Sequence, residues 1–257
     1  MATDAKIELH YFAGFRGRAE VPRMLLEATV GPDGYRDVHV SIKDAKADRA
    51  GYPFAQLPRL VDRAGGGGGG GGVVDVCQTG AIVRHLARRD PALGWYGRPG
   101  SLAEAARVDA WLEGCEALRI AHFALNYTDR WSDAATEAAL TRHVRPATAV
   151  GDLETEQMGP SKPRGAHFGY LDALLGDATW CVGGSPTVAD LALMELFEVW
   201  SGAAPELAAT WPRLAAHRDR VAALPAMSAY LASGRRPARI NGNGLGEGPD
   251  PSQKAGD

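Results

Sequence analysis

The stretch LHYFAGFRGRAEVPRMLLEA, residues 9–28, joins a short strand to a helix and decides the fold prediction. Its first residues continue an apolar run that begins at Ile7, which predicts a strand. The residues that follow repeat their apolar side chains at the spacing of one buried helix face, at Val21, Met24, Leu25 and Ala28. Tyr11 ends the strand, at the edge where open α/β sheets bind their ligands. The stretch therefore predicts a β-α unit with a tyrosine at its ligand-binding edge.

The glycines of the chain do not form a phosphate-binding loop. Gly14 and Gly17 have no third glycine before the helix, which the dinucleotide fingerprint requires. A longer glycine run at residues 65–72 is not followed by the Lys-Ser or Lys-Thr pair of a P-loop. It separates two short β-branched runs, which predicts a hairpin with a lengthened connection. Because each doubling of a loop costs only about 0.6 kcal/mol, we expect residues 64–72 to be a disordered hairpin tip.

The strand and helix patterns divide the chain into two domains. A second strand, the hairpin and a closing helix complete a small α/β domain over residues 1–90. A segment with the composition of a linker follows at 91–100. The remainder carries helical patterns only, which predicts an all-α domain over residues 101–233. Residues 234–257 are rich in Gly, Pro, Asn and charged groups, so we expect a disordered tail there.

Charge and composition exclude several classes of protein. The net charge of -3, with both signs spread along the chain, gives no reason to expect a nucleic acid or a membrane as partner. No stretch has the length of a signal-peptide core or of a membrane span, so we expect a cytoplasmic protein. Cys77, Cys115 and Cys181 are far apart and odd in number, so neither a disulfide framework nor a metal site is predicted.

A second segment, FAQLP at residues 54–58, predicts a groove for an extended peptide. Pro58 stands directly before a predicted strand, one of the places where a cis peptide bond occurs. The backbone N–H and C=O of Leu57 would then be free to pair with an extended ligand. Gln78 and Thr79 open the next helix, whose unpaired N–H groups and positive dipole end attract a carboxylate. Together these segments predict a site for a short peptide that carries a carboxylate.

This series of motifs resembles the cytosolic glutathione S-transferases, and the tyrosine-type, sigma-like classes most of all. The similar motifs are Tyr-Phe with Arg-Gly-Arg-x-Glu, then Phe-x-Gln-Leu-Pro, then Gln-Thr at a helix start. In the helical half, Arg107-Val-Asp109-Ala resembles the family's first long helix, and Thr187-Val-Ala-Asp190 resembles its buried capping box. The resemblance implies a thioredoxin-like N-terminal domain followed by an all-helical C-terminal domain. It also implies a homodimer and glutathione as co-substrate, with no metal or organic cofactor.

The resemblance assigns roles to individual residues. Tyr11 would donate a hydrogen bond to the glutathione sulfur and so favour the thiolate, since a free thiol has a pKa of about 8.5. Gln78 and Thr79 would hold the γ-glutamyl carboxylate. Leu57, ahead of a cis-Pro58, would pair with the cysteinyl backbone. Further contacts to glutathione are expected from Arg18, Gln56 and, across the dimer, Asp109 of the partner subunit.

The resemblance also implies a second-substrate pocket and a dimer contact. Phe54 matches the family's aromatic residue that inserts between helices of the partner subunit. The pocket for a small hydrophobic electrophile would be lined by Phe12, Phe15, His122 and Tyr127.

One departure from the family pattern concerns the glycine carboxylate of glutathione. Sigma-like sequences bind this carboxylate with a tryptophan and a lysine, at positions where the present chain has Ala45 and Arg49. Arg49 can replace the lysine as a carboxylate partner, and Lys46 or Lys43 can share the task. The tryptophan has no counterpart.

A second departure lies in the loop after the tyrosine. The family commonly places its two arginines four and six residues after the tyrosine, whereas Arg16 and Arg18 follow Tyr11 by five and seven. The loop therefore holds one extra residue. Either a bulge absorbs it and swings Phe15 toward the second-substrate pocket, or an arginine moves closer to the sulfur.

The sequence thus predicts an enzyme that joins the glutathione thiolate to small apolar electrophiles or uses it to reduce hydroperoxides. Two alternatives stay open. One is a glutathione-dependent isomerase of a prostaglandin-type endoperoxide. The other is a non-catalytic relative that keeps the fold for binding or structure, which the retained polar residues of the groove oppose.

Overall fold

The computed structural model describes residues 6–65, 72–129, 131–146 and 167–240. Within these ranges the strands are β1 (Ile7–Tyr11), β2 (Arg36–His39), β3 (Arg59–Asp62) and β4 (Val74–Cys77). The first five helices are α1 (Glu20–Thr29), α2 (Ile42–Ala47), α3 (Thr79–Arg89), α4 (Leu102–Tyr127) and α5 (Asp133–His143). The later ones are α6 (Phe168–Leu175), α7 (Val188–Ser201), α8 (Leu207–Thr210), α9 (Pro212–Ala222) and α10 (Pro225–Ala232).

The N-terminal domain is built on one mixed sheet with the strand order β2-β1-β3-β4. β1 runs parallel to β2 and antiparallel to β3, and β4 is antiparallel to β3. α3 packs against β3, β4 and α1. The helices from α4 onward form the second domain, in which α4 and α9 pack against α7. This architecture confirms the predicted fold class, an α/β domain followed by an all-helical domain.

Helix α1 contacts both domains and is therefore buried on nearly all sides. It packs against α3 in the first domain and against α7 and α10 in the second. Its core side chains Met24, Leu25 and Leu26 are fully buried, and so are the charged side chains of Glu20 and Arg23. Burying an ionised group is costly unless it is paired. Both charges must therefore find partners on neighbouring elements.

The C-terminal segment, residues 235–240, supplies some of those partners and corrects an expectation. Arg236 donates to Glu20 at 2.6 Å, and Arg235 donates to Glu27 at 2.9 Å. Ile240 is buried. The disordered tail expected from residue 234 is therefore wrong for these residues, whose arginines pair with acids that α1 buries. The rest of that tail, 241–257, and residues 66–71 of the expected hairpin tip lie outside the described residues.

A buried hydrogen-bond network around Asp190 opens helix α7. One carboxylate oxygen accepts from the Thr187 N–H at 2.7 Å, which forms the capping box that the resemblance implied. The other accepts from the Cys181 N–H at 2.7 Å and from His217 Nε2 at 2.8 Å. Cys181, Asp190 and His217 could in principle ligate a metal, since their donor atoms lie within 4.8 Å of one another. Because the carboxylate is already saturated by protein donors, hydrogen bonding accounts for this cluster.

Two smaller findings complete the fold. The last helical stretch of the domain is divided, because α9 ends at Ala222 and α10 begins at Pro225. None of the helices in the described ranges combines the length and the apolar character that crossing a bilayer requires.

The Asp190 network predicts a large effect on stability. Replacing Asp190 with alanine leaves the Thr187 and Cys181 N–H groups and the His217 ring without their acceptor, so we expect a loss of about 2 to 4 kcal/mol in the free energy of unfolding. Urea unfolding measures it. The control is Asp219→Ala, because the Asp219 carboxylate forms an exposed ion pair with Arg218, for which we expect a loss below about 0.5 kcal/mol. Equal losses in the two variants would contradict the role of the network.

Candidate functional site

A cavity of about 510 Å³ opens between the carboxyl end of β1, the start of α3 and the second half of α4. Both domains contribute to its wall. Ten of the predicted site residues line it: Tyr11, Phe12, Phe15, Arg18, Gln56, Leu57, Gln78, Thr79, His122 and Tyr127. The predicted residues that do not line it are Lys46, Arg49, Phe54, Pro58 and Asp109. The structure therefore brings together most of a set that is spread over more than a hundred positions of the chain.

Tyr11 is a neutral hydrogen-bond donor at the edge of this cavity. Its side chain is buried, and burial raises the pKa of the phenol above its ordinary value. The hydroxyl oxygen accepts a hydrogen bond from the Arg18 backbone N–H at 2.9 Å. Because that bond occupies a lone pair and not the proton, the O–H remains able to donate to a ligand.

Gly17 allows this tyrosine to lie where it does. Its φ is +43°, and a Cβ built on it would overlap the Tyr11 hydroxyl. A side chain at position 17 would therefore displace the hydroxyl and strain the backbone at the same time. Gly17 is therefore the surface against which the tyrosine hydroxyl packs.

The loop between Tyr11 and α1, residues 12–19, contains the extra residue and is named the tyrosine loop. The Arg16 side chain is directed away from the cavity, to Glu198 at 3.4 Å and to the Ala238 carbonyl at 3.2 Å. Arg18 lines the cavity, and its guanidinium pairs with Glu116 on α4. Phe15 also lines the cavity. Phe15 thus lies at the cavity wall, as the first alternative expects, while the Arg16 side chain binds outside it.

The C-terminal segment holds this loop in place through backbone hydrogen bonds. The Arg16 N–H donates to the Arg239 carbonyl at 2.8 Å, and the Gly17 N–H donates to the Ile240 carbonyl at 2.7 Å. Ile240 itself lines the cavity. Sequence reasoning missed this residue because an isolated isoleucine in a Gly- and Asn-rich stretch gives no periodic signal.

The opposite end of the cavity carries the polar groups of the expected peptide groove. The Leu57–Pro58 bond is cis, as predicted. Within the described ranges, the Leu57 N–H and C=O have no backbone partner. Gln56 accepts a hydrogen bond from Gln78 at 2.8 Å, and the Thr79 hydroxyl donates to the Arg18 carbonyl at 3.1 Å. These contacts connect the groove, the start of α3 and the tyrosine loop.

Two residues at this end have backbone conformations that side chains rarely adopt. Ala55 has a φ of 51° and Gln78 a φ of 77°. Such strain costs of order 1 to 3 kcal/mol per residue and is concentrated at functional sites. Sequence reasoning did not find Ala55, because an alanine gives no sign of a positive φ.

Helix α4 forms the remaining wall. His122 is buried with its ring centroid 5.6 Å from that of Trp131 and 5.5 Å from that of Trp200. Burial lowers the pKa of His122 to about 3, so the imidazole is neutral. Tyr127 is half exposed and packs against Phe123 with the rings tilted and their centroids 4.4 Å apart. His122, Phe123 and Tyr127 therefore give this side of the cavity an aromatic surface.

Arg119 is the charged residue of this wall that sequence reasoning missed. It stands three residues before His122, so the two share a face of α4 and helical spacing could have identified it. Its guanidinium pairs with Glu195 on α7, whose side chain is only 3% exposed.

The predicted residues outside the cavity have other contacts. Arg49 is exposed and donates to the Pro53 carbonyl at 3.1 Å. Asp109 accepts from Arg84 at 2.5 Å and from the Tyr96 hydroxyl within the same chain. Phe54 is 59% exposed. The expected contact of Asp109 with a ligand of the partner subunit stays a prediction.

Comparisons with known proteins agree with this architecture. A family model described as "Glutathione S-transferase, C-terminal domain" matches residues 161–234. Glutathione S-transferase P from Bos taurus is 30% identical over 234 residues, which cover 89% of this chain and 94% of that protein. Hematopoietic prostaglandin D synthase from Gallus gallus is 31% identical over 225 residues, covering 87% of this chain and 94% of that protein. The solved structure of a Pi-class glutathione S-transferase from Onchocerca volvulus superposes with a TM-score of 0.69 at 23% identity, covering 93% of this chain and 99% of that one.

The contact between Gly17 and Tyr11 predicts a difference between two glycine substitutions. Gly17→Ala combines a positive φ with overlap on the tyrosine hydroxyl, so we expect it to lower the free energy of unfolding by about 2 to 4 kcal/mol. Gly14→Ala is the matched control, because Gly14 also has a positive φ but no atom within 4 Å of a built Cβ, and we expect a loss of about 1 kcal/mol. Thermal unfolding of both variants measures the difference. Equal losses would show that the hydroxyl does not pack against position 17.

The C-terminal segment predicts the effect of two truncations. A chain that ends at Gly234 loses Arg236 and so leaves the buried Glu20 with one partner fewer, for which we expect a destabilisation of about 2 to 4 kcal/mol. A chain that ends at Ile240 keeps every described contact of the segment, and we expect it to unfold like the full chain. Urea unfolding of the three chains tests this. A chain ending at Gly234 that is as stable as the others would contradict the role of residues 235–240.

Proposed function

The chain belongs to the glutathione S-transferase family, and from that premise we propose that it joins the sulfur of glutathione to small electrophiles. The observation that carries the proposal is the Tyr11 hydroxyl, buried, neutral and held by the Arg18 N–H beside a cavity. A neutral donor stabilises an anion without having to ionise itself. In that position it lowers the pKa of a bound thiol and raises the share of reactive thiolate.

The chemical step follows from the thiolate. Its sulfur attacks an electrophilic carbon and forms a C–S bond, while the bond to a leaving group such as chloride breaks and the chloride departs. The proton of the thiol goes to solvent when the thiolate forms. Each unit by which the site lowers the thiol pKa stabilises the thiolate by about 1.4 kcal/mol.

We propose that glutathione lies along the groove of the N-terminal domain. The unpaired N–H groups at the start of α3, at Gln78 and Thr79, suit the γ-glutamyl carboxylate. The unpartnered Leu57 backbone suits the cysteinyl backbone, and Gln56 adds a polar contact. These assignments are supported by the shared cavity wall.

The glycine carboxylate of glutathione needs a cationic side chain as its partner. Of the expected residues, we favour Lys46 over Arg49. Lys46 follows the cavity-lining Ile42 by one turn on α2, so it shares that helix face. Arg49 follows the end of α2 at Ala47, so it does not share that helix face.

The finer class, the assembly and the location of the protein remain proposals. The expected sigma-like class lacks support, because the Onchocerca volvulus relative is named a Pi-class protein and the bovine one glutathione S-transferase P. We propose a homodimer, which the exposure of Phe54 supports, and a cytoplasmic location.

A second candidate function is the isomerisation of a prostaglandin-type endoperoxide. The observation that favours it is the similarity to the Gallus gallus prostaglandin D synthase over 87% of this chain. It uses the same thiolate and the same tyrosine. Product analysis with an endoperoxide substrate distinguishes the two functions.

The role of Tyr11 predicts the behaviour of Tyr11→Phe. We expect kcat/KM with glutathione and a chlorodinitrobenzene to fall about a hundredfold, because one donor to the developing anion is lost. The pH profile of kcat/KM should move to more alkaline values, since the bound thiol then ionises less readily. Retention on glutathione resin should persist, because the groove is unchanged.

The matched control is Tyr170→Phe, which removes a hydroxyl from an exposed tyrosine on α6. We expect it to have wild-type activity and pH profile. If Tyr11→Phe retained both as well, the tyrosine would not be the thiolate donor. If the wild-type chain showed neither turnover nor retention on the resin, the enzymatic function would be wrong.

A further inference from the structure

The guanidinium of Arg119 is only partly used by the protein. Its side chain is 13% exposed and lines the cavity. Within the described ranges its one polar partner is Glu195 on α7. A guanidinium carries more N–H donors than a single carboxylate accepts. Because the side chain is part of the cavity wall and is not fully buried, Arg119 can donate hydrogen bonds to a ligand in the cavity.

The charge of the cavity wall has one sign. Of the residues that line it in the described ranges, Arg18 and Arg119 are cationic and none is an aspartate or glutamate. Their partners, Glu116 and Glu195, are not among the residues that line the cavity. A concave site with low-dielectric walls and charges of one sign focuses its potential on the space inside. The space therefore favours a ligand with a negative group.

The position of Arg119 decides which ligand it faces. The expected glutathione contacts come from the N-terminal domain, at Leu57 and at the start of α3. Arg119 comes from α4, on the helix face that also carries Phe123 and Tyr127 into the cavity. Arg119 therefore lies on the side of the cavity where the second-substrate residues His122 and Tyr127 are expected. Its charge also reaches the tyrosine, because it opposes the effect of burial on the pKa of Tyr11.

We propose that Arg119 forms an anion subsite for the second substrate, so that the preferred electrophiles carry a carboxylate on an apolar body. This inference rests on the proposed transferase function. Phe123 and Tyr127 would contact the apolar body, and the guanidinium of Arg119 would bind the carboxylate. The step is unchanged: the sulfur displaces the leaving group from carbon, and the carboxylate stays intact as the group that orients the molecule.

The test compares a chloronitrobenzoate with its methyl ester, which share a leaving group and differ in charge. For each variant, kcat/KM for the acid is divided by kcat/KM for the ester. We expect this ratio to decrease by about tenfold to a hundredfold in Arg119→Met relative to the wild type, as the loss of a hydrogen-bonded charge partner predicts. Because the intrinsic reactivities of the two compounds cancel when ratios are compared between variants, the change reports recognition alone. Arg119→Lys keeps the charge and should lose less.

Two further variants separate recognition of the carboxylate from a general loss of positive charge and from unfolding. Arg107→Met removes an exposed arginine from the same helix outside the cavity, and its ratio should equal that of the wild type. Arg119→Met leaves Glu195 buried without a cation, which risks unfolding. The double variant Arg119→Met with Glu195→Gln removes that charge and should show the same fall in the ratio.

The outcomes separate this inference from the function on which it rests. A wild-type chain that turns over the ester while all variants keep the wild-type ratio would overturn the anion subsite and leave the transferase function intact. An equal loss for acid and ester in Arg119→Met, with an alkaline shift in the pH profile, would also overturn it, because Arg119 would then act on the thiolate. No turnover of either compound or of chlorodinitrobenzene by the wild type would overturn the proposed function itself.

Discussion

Two buried charges on helix α1 hold the rest of the structure in register. Arg23 binds Asp37 on β2 at 2.6 Å and the carbonyls of Phe15 and Arg16 at 3.0 and 3.1 Å. Glu20, one turn earlier, accepts from Arg236 and from the Tyr230 hydroxyl. Since a buried charge without partners costs several kcal/mol, α1 cannot be buried unless the sheet, the tyrosine loop and the C-terminal segment all take these positions together.

The geometry of the site depends on the partners of these two buried charges. Arg23 donates hydrogen bonds to two carbonyls of the tyrosine loop. Two N–H groups of the same loop donate to the carbonyls of Arg239 and Ile240. Fixed in this way, the loop directs the Arg18 N–H at the Tyr11 hydroxyl. Catalytic donors act best when they need no reorganisation at the moment of reaction. A loop with two independent anchors meets that requirement.

The residues of the expected peptide groove and the tyrosine could be predicted from the sequence because they act through local geometry. A proline before a strand, a Gln-Thr pair at a helix start and a tyrosine at a strand end each specify a short-range arrangement. Leu57, Gln78 and Tyr11 were found in this way. Arg119 and Ile240 were not, because a lone arginine on a long helix and a lone isoleucine near the terminus acquire meaning only from what packs against them. Asp109 is the opposite case, because its motif predicts a ligand contact. The motif gives no sign of its polar partners within the chain, Arg84 and Tyr96.

The sequence by itself determined the element types, the cis-proline, the capping box at Thr187 and Asp190, and the positions of the tyrosine and of the α3 start, because each depends on residues that are close in the chain. Only the tertiary structure decided that the Arg16 side chain binds outside the cavity, that Gly17 supports the tyrosine hydroxyl, and that residues 235–240 fasten the loop. These choices depend on Glu198, Arg239 and Ile240, which are about two hundred positions away. No local pattern encodes a partner at that distance, because the pairing follows from how the two domains pack around α1.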